Sequence, residues 1–291
     1  MAYEAGPSGF GLYDRLDEAG IRCIVVPPNL IPVEIGCKVK TDKKDSKKLA
    51  LLLEADMLKE VFVLSEEQRM HRELLRTRRQ LVEHRTSIIK QIKSKFLYYS
   101  IEPEEAGKRE WTAKQIKSIL GFGFPHEALK KAVEALLEMY GQLTLAIRSL
   151  NKETRLLSNT EFYQDRVSLL MTVPGIARLS AMEILTELGD LERFKSNDHL
   201  ASFLGLTPSE YSSGEHTRKG HITRCGNKRV RTCLVESAWK LIAQDGVMRE
   251  KYDGIKYRRG ARRAIVAMAR NLAGRIRGMM LRNEPYVTGV C

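Results

Sequence analysis

Apolar and polar positions change their period along the chain, and the changes predict three regions: 1–63, 64–160 and 161–291. In the first, Ile21-Arg-Cys-Ile-Val-Val26 reads as a short buried strand ended by Pro27 and Pro28. Ahead of it, Gly6-Pro-Ser-Gly9 makes a tight turn in which Ser8 is placed to cap a helix. Phe10, Leu12, Tyr13 and Leu16 give that helix an apolar face, and Gly20 ends it. Beyond the loop that starts at Lys38, a second helix runs through Leu49, Leu51, Leu52, Leu53 and Met57. The region is expected to be α/β, with a sheet that needs further strands to cover its edge.

The second region is helical. Glu66 to Tyr99 contains no Pro or Gly, and Leu74, Leu81, Ile88 and Ile92 recur near heptad spacing. Another long helix is predicted from about Pro125 to Ser158, on Leu129, Val133, Leu136, Leu137, Tyr140, Leu143 and Ile147. Pro103, Gly107, Gly121 and Gly123 mark a linker with room for a short helix. The long pair fits an intramolecular hairpin, and equally a coiled-coil pairing with another copy. Arg72, Arg76, Arg78, Arg79 and Arg85 fit a row that follows phosphates, and equally a solvated helix face.

In the third region an apolar helix, Val173-Pro-Gly-Ile176 and a second apolar helix form a helix-hairpin-helix pattern. Pro174 and Gly175 make the turn. Backbone N–H groups at the start of the second helix can hold a phosphate without reading sequence, and Arg178 is placed to help. A structural helical hairpin is the alternative. Helix is expected to continue from Asp190 to Leu206, then from Val230 to Gln244, and from about Arg262 to Arg282.

Charge adds a partner to this picture. The chain carries 49 Lys and Arg against 36 Asp and Glu, a formal +13. The excess is concentrated between Glu215 and Arg282, where eighteen Lys and Arg face five Asp and Glu. Such clustering points to a polyanion, nucleic acid first. Arg218, Lys219, Arg224, Lys228, Arg229 and Arg231 are the candidate contacts. The five cysteines show no C-x-x-C and read as reduced thiols of a cytosolic protein. No apolar run is long enough to span a membrane, and no leader pattern opens the chain.

Two constellations can carry chemistry. Pro208 and Gly214 break helix on either side of Tyr211-Ser-Ser-Gly214, so the serines occupy a turn followed by Arg218 and Lys219. A hydroxyl beside glycine and cations suits attack on a phosphodiester, though Ser-Ser-Gly is also common in plain surface loops. Chemistry alone leaves Ser212 and Ser213 equivalent. In region one, Glu4 closes a candidate strand, and Asp42 and Asp45 share one face at the start of a helix. Converging, these carboxylates would suit Mg²⁺; singly, the two aspartates would complement a helix dipole.

The ordered set Val173-Pro-Gly-Ile, Phe203-Leu-Gly-Leu-Thr-Pro-Ser-Glu-Tyr-Ser-Ser-Gly, Gly220-His-Ile-Thr-Arg-Cys-Gly-Asn and Arg229-Val-Arg resembles the C-terminal domain of DEDD-type insertion-sequence transposases. These are the bridge-RNA-guided recombinases of the IS-one-ten family. Tyr3-Glu-Ala-Gly-Pro-Ser-Gly-Phe-Gly-Leu and Lys40-Thr-Asp-Lys-Lys-Asp-Ser-Lys-Lys-Leu-Ala resemble the second half of that family's RuvC-like domain. The resemblance implies a mixed fold: a RuvC-like, RNase H-like α/β part, a helical coiled-coil arm for oligomerisation, and a mainly helical transposase domain. It implies Ser213 as the DNA nucleophile, Glu4, Asp42 and Asp45 as metal ligands, and DNA, a structured guide RNA and a dimer or tetramer as partners. The family's first carboxylate lies on an opening strand with a Gly-Ile-Asp-like motif. None precedes Met1, so an N-terminally truncated chain is expected, with the metal set one ligand short. Two further functions stay open: a non-catalytic nucleic-acid-binding remnant, and a RuvC-like nuclease that uses a metal and water.

Overall fold

The computed structural model describes residues 1–32, 41–103, 107, 110–210 and 219–289, Lys219 by its backbone alone. Its contacts divide the chain into two units, Met1–Arg69 and Met70–Cys291.

The first unit is built on two short strands, β1 (Ala2–Glu4) and β2 (Ile24–Val26), paired in parallel with Glu4 opposite Val26. Parallel pairing requires a crossover, and α1 (Gly11–Glu18) supplies it. Val25 and Val26 are fully buried, as β-branched residues on a covered strand should be. The Val25 carbonyl also accepts from the Val61 N–H at 2.7 Å. Ser8 does not cap α1. The helix begins later, with Phe10 at the cap position and no side-chain cap, because Gly9 (φ +63°) closes the Gly6 turn first. Helix α2 (Asp42–Glu54) is capped by Thr41 and packs against β1.

The second unit holds two hydrophobic cores. Helix α3 (Glu66–Tyr98) gives Ile88, Ile89, Ile92 and Phe96 to one of them. There they meet Ile119 of α4 (Ala113–Leu120) and Val133, Leu137 and Tyr140 of α5 (Glu127–Leu157). Within the chain, the two long helices of the arm thus share one core, with the short helix of the linker packed into it. A capping box of Thr112 and Gln115 starts α4. The arginine row on α3 is engaged inside the chain: Arg78 donates to Asn151 and Arg85 to Glu110, both at 2.5 Å.

Leu75 of α3 belongs to the other core, with α6 (Gln164–Leu170), α7 (Arg178–Leu188), α8 (Asn197–Phe203), α9 (Lys228–Gln244), α10 (Gly246–Arg259) and α11 (Ala261–Arg282). The continuous helix expected from Asp190 to Leu206 is not there. Gly189 ends α7 at φ +64°, and α8 restarts at Asn197 under a Ser196 cap. Strands β3 (Pro208–Glu210) and β4 (Lys219–Ile222) pair antiparallel between α8 and α9. The chain's end is pinned by buried Asp245, which caps α10 through two backbone N–H groups and accepts the Tyr286 hydroxyl at 2.5 Å. Among the described residues no helix is long and apolar enough to cross a membrane.

The arm core depends on one polar link. Buried Tyr140 accepts from the Trp111 N–H at 2.9 Å and donates to the Trp111 carbonyl at 3.0 Å. Tyr140→Phe keeps the ring and orphans both backbone groups. Urea unfolding should show a loss of about 1–3 kcal/mol; a loss under about 0.5 kcal/mol would mean those groups find other partners.

Candidate functional site

The predicted metal ligands fall on two adjacent elements of the first unit. Glu4 is exposed at the C-terminal end of β1, and Asp42 and half-buried Asp45 open the first turn of α2. Oxygen donors of this type suit a hard divalent ion. Among the described residues, however, no three His, Cys, Asp or Glu side chains come together as a metal-binding group. The two elements pack against each other, but the three carboxylates do not form a cage.

In the second unit, β3 and β4 flank residues 211–218. Ser212, Ser213 and Arg218 lie outside the described residues, as does the Lys219 side chain. What is described is the frame from which that segment leaves and to which it returns. Residues 203–206 and 224–227 cross at its base. Arg224 donates its N–H to the Gly205 carbonyl (3.3 Å), and Asn227 donates to Phe203 (3.1 Å). Gly226, at φ +140°, passes so close that a Cβ there would lie 2.2 Å from the Phe203 oxygen. Only glycine fits. The Arg231 guanidinium donates to the Leu204 carbonyl at 2.7 Å and secures the same crossing.

A buried carboxylate underlies this frame. Glu187, on α7, has a side chain 3% exposed. Arg76 of α3 grips it with two parallel bonds of 2.8 Å, and Asn227 donates to it at 2.8 Å. Asn227 also caps α9, accepting from the Val230 N–H at 3.1 Å. Burial pushes the Glu187 carboxyl up, but the bonds and charge of Arg76, the Asn227 amide and the charge of Arg72 outweigh it. Glu187 therefore stays below the usual carboxylate range. One turn earlier, Glu183 is pushed up by burial, with Arg79 and Arg78 partly offsetting.

The helical hairpin is present as α6, a turn at Pro174-Gly175, and α7. Gly175 (φ +89°) faces α9: a Cβ would lie 2.6 Å from the Lys240 Cβ, and its carbonyl accepts from the Ser237 hydroxyl at 3.1 Å. Arg178 donates to Ser158 (2.8 Å) and Asn159 (2.7 Å), so its guanidinium holds the link between α5 and α6. Arg229 is half-buried; Arg224 and Lys228 are exposed. The DNA contacts expected from sequence thus divide. Arg178 and Arg231 have internal partners, while Arg224 and Lys228 face solvent. Sequence reasoning missed Glu183 and Glu187. Two acids four apart on an otherwise apolar helix were the available signal.

Residues 3–100 match a transposase profile of the DEDD IS110 type, and residues 167–253 match the profile described as transposase IS116/IS110/IS902 family. Together they account for more than half of the chain. The chain belongs to the IS110 family of transposases. Among relatives, it is 37% identical over 240 residues to the putative transposase y4qE of Sinorhizobium fredii, an overlap of 82% of this chain and 57% of that protein. It is 27% identical over 275 residues to the transposase for insertion sequence element IS1111A of Coxiella burnetii, covering 91% of this chain and 74% of that one. The transposase for insertion sequence element IS1533 of Leptospira borgpetersenii is 26% identical over 246 residues, 82% and 69% of the two chains. The chain thus spans little more than half of the rhizobial relative. Arg76 falls in the first family segment and Glu187 and Asn227 in the second, so the buried pair joins the two matched parts.

Glu187→Gln should cost about 3 kcal/mol at neutral pH, because it leaves the Arg76 guanidinium without its counter-charge. A carboxyl held below its ordinary value contributes stability that is lost as pH falls through the native value. Wild-type stability should therefore drop as pH falls below 4.5, and the variant should lose that part of the slope. Urea unfolding at a series of pH values reads both; parallel curves would contradict the assignment.

Proposed function

We propose that this chain acts in DNA transposition, breaking and rejoining DNA with Ser213 as the nucleophile. The observation that carries the reading is the match of residues 3–100 and 167–253 to transposase families, the second stretch containing Ser213 in sequence. In the proposed step the Ser213 hydroxyl oxygen attacks a backbone phosphorus. A phosphoserine ester forms, the bond to one sugar oxygen breaks, and that sugar leaves as a hydroxyl carrying the proton. A strand hydroxyl then attacks the ester, joins the DNA and regenerates the serine. Cations that follow the serines in sequence (Arg218, Lys219 and exposed Arg224 and Lys228) are proposed to hold the phosphate and stabilise its charge.

Glu4, Asp42 and Asp45 are the side chains assigned to a divalent metal, Mg²⁺ by donor type. When bound, such an ion supplies charge stabilisation at a phosphoryl oxygen. The described carboxylates do not close around an ion, so no step is derived through it. Oligomerisation through the helical arm, a structured guide RNA, DNA contact at the Pro174-Gly175 turn and at Arg229, and a cytoplasmic location complete the proposal. Oligomerisation and the guide RNA rest on the family resemblance, the DNA contacts on the hairpin pattern and the clustered charge, and the location on the unpaired cysteine pattern.

The test is a covalent adduct. The chain is incubated with Mg²⁺ and DNA carrying the flanks of its own gene, then denatured. Wild type should leave protein attached to DNA. Ser213→Ala should abolish the adduct and leave DNA affinity within about twofold, whereas Asp42→Ala should slow its formation by about 100-fold or more. An adduct that survives Ser213→Ala rejects the nucleophile. Cleavage without an adduct, lost with Asp42→Ala and indifferent to Ser213→Ala, would make the chain a water-using nuclease. DNA binding without any cleavage would make it a binding protein.

A further inference from the structure

Beside the β3–β4 ribbon the second unit opens a cleft of about 860 Å³. Its floor is apolar, from Leu206, Ile222, Ile255 and Val266. Its rim carries Arg224 from the segment after β4, Arg258 and Arg259 from the last turn of α10, and Arg262 and Arg263 from the first turn of α11. All five are exposed. Among the described residues none of them has a carboxylate within ion-pair distance. A sixth arginine of the wall, Arg270, is already paired with Asp198 at 2.8 Å.

Packing does not require this arrangement. Arg258 and Arg259 suit the C-terminal end of α10, where cations complement the helix dipole. Arg262 and Arg263 do the reverse. They stand in the first turn of α11, where the dipole is positive, no acid is present, and Gly260 provides no side-chain cap. Five guanidiniums thus gather around a helix start whose own N–H groups are uncapped. Local electrostatics of this sign are unfavourable until an anion enters, and such a conflict marks a functional surface.

We infer that the cleft between the β3–β4 ribbon and the α10–α11 elbow binds the backbone of single-stranded DNA. Phosphates meet the arginine rim and the α11 N-terminus, and sugars and base faces lie on the apolar floor. A cleft of this size takes a few nucleotides of one strand and does not enclose a duplex. That the strand is DNA rests on the proposed function; the cleft and its charge do not. The hairpin turn and the Arg224–Arg231 row are the contacts expected from sequence. The α10–α11 arginines add a second wall, opposite the ribbon.

The test is fluorescence anisotropy with a labelled 20-nucleotide mixed-sequence DNA strand, its duplex, and the same sequence as RNA. The full chain is compared with Arg258→Ala/Arg262→Ala/Arg263→Ala. A control removes three exposed cations from α5: Arg148→Ala/Lys152→Ala/Arg155→Ala. The cleft variant should lose at least about tenfold in affinity for the single strand, and its log–log salt slope should fall by about 2, near 0.7 per phosphate contact. Duplex affinity and the melting curve should stay as in wild type, and the control should bind the strand nearly normally. Equal losses in cleft variant and control would reduce the effect to net charge and overturn the site. An equal loss for duplex would overturn the single-strand assignment, and tighter RNA binding through the same arginines would overturn DNA. Binding is read without cleavage, so a failed Ser213 assignment leaves this result standing, and a failed cleft leaves Ser213 untouched.

Discussion

A carboxylate removed from water stays charged only if it is paired and hydrogen-bonded. Glu187 meets that requirement with two groups distant in sequence, Arg76 and Asn227. Each has a second structural duty. Arg76 stands on the helix that continues into the arm core, and Asn227 caps α9 and bonds to Phe203. One ion therefore fixes the arm's root, the hairpin's second helix and the crossing from which the serine segment departs. The close approach of Gly226 to Phe203 at that crossing is possible because glycine carries no Cβ.

The basic residues of the chain divide into two populations that their number does not reveal. Arg76, Arg78, Arg85, Arg178 and Arg231 spend their donors on carboxylates, amides and carbonyls of the same chain. Arg224, Arg258, Arg259, Arg262 and Arg263 face solvent around one cleft. A net +13 thus overstates what is offered to a polyanion on some surfaces and hides where it is concentrated. Guanidinium geometry permits both uses, since a planar fork suits carboxylates and phosphates alike.

Local patterns were legible. The long helices of the arm, the short helix in its linker, the Pro174-Gly175 turn and the terminal helix all follow from apolar period and turn residues. Where the pattern failed, the reason is physical. Helix α10 carries only Met248 and Tyr252 into the core, too few to set a period. Gly189 reads as an interruption that a helix can absorb, yet its positive φ ends α7. The phosphate role read for Arg178 took no account of Ser158 and Asn159, its partners about twenty residues upstream. Nothing local announces that Glu187 meets Arg76, because the pair is 111 residues apart. The carboxylates Glu4, Asp42 and Asp45 were recognised by resemblance, and the fold brings their elements together without completing a cage.

The claim that one buried carboxylate holds the frame of the serine segment is tested most directly by amide hydrogen exchange in Arg76→Met. The account predicts faster exchange at Thr223 and Asn227, whose N–H groups bond across the crossing to Thr207 and Phe203. Amides around Val133 and Tyr140, in the separate arm core, should keep their protection. Exchange altered only in α3 and α7, with Thr223 and Asn227 unchanged, would show that the crossing stands without Glu187's grip and would contradict the account.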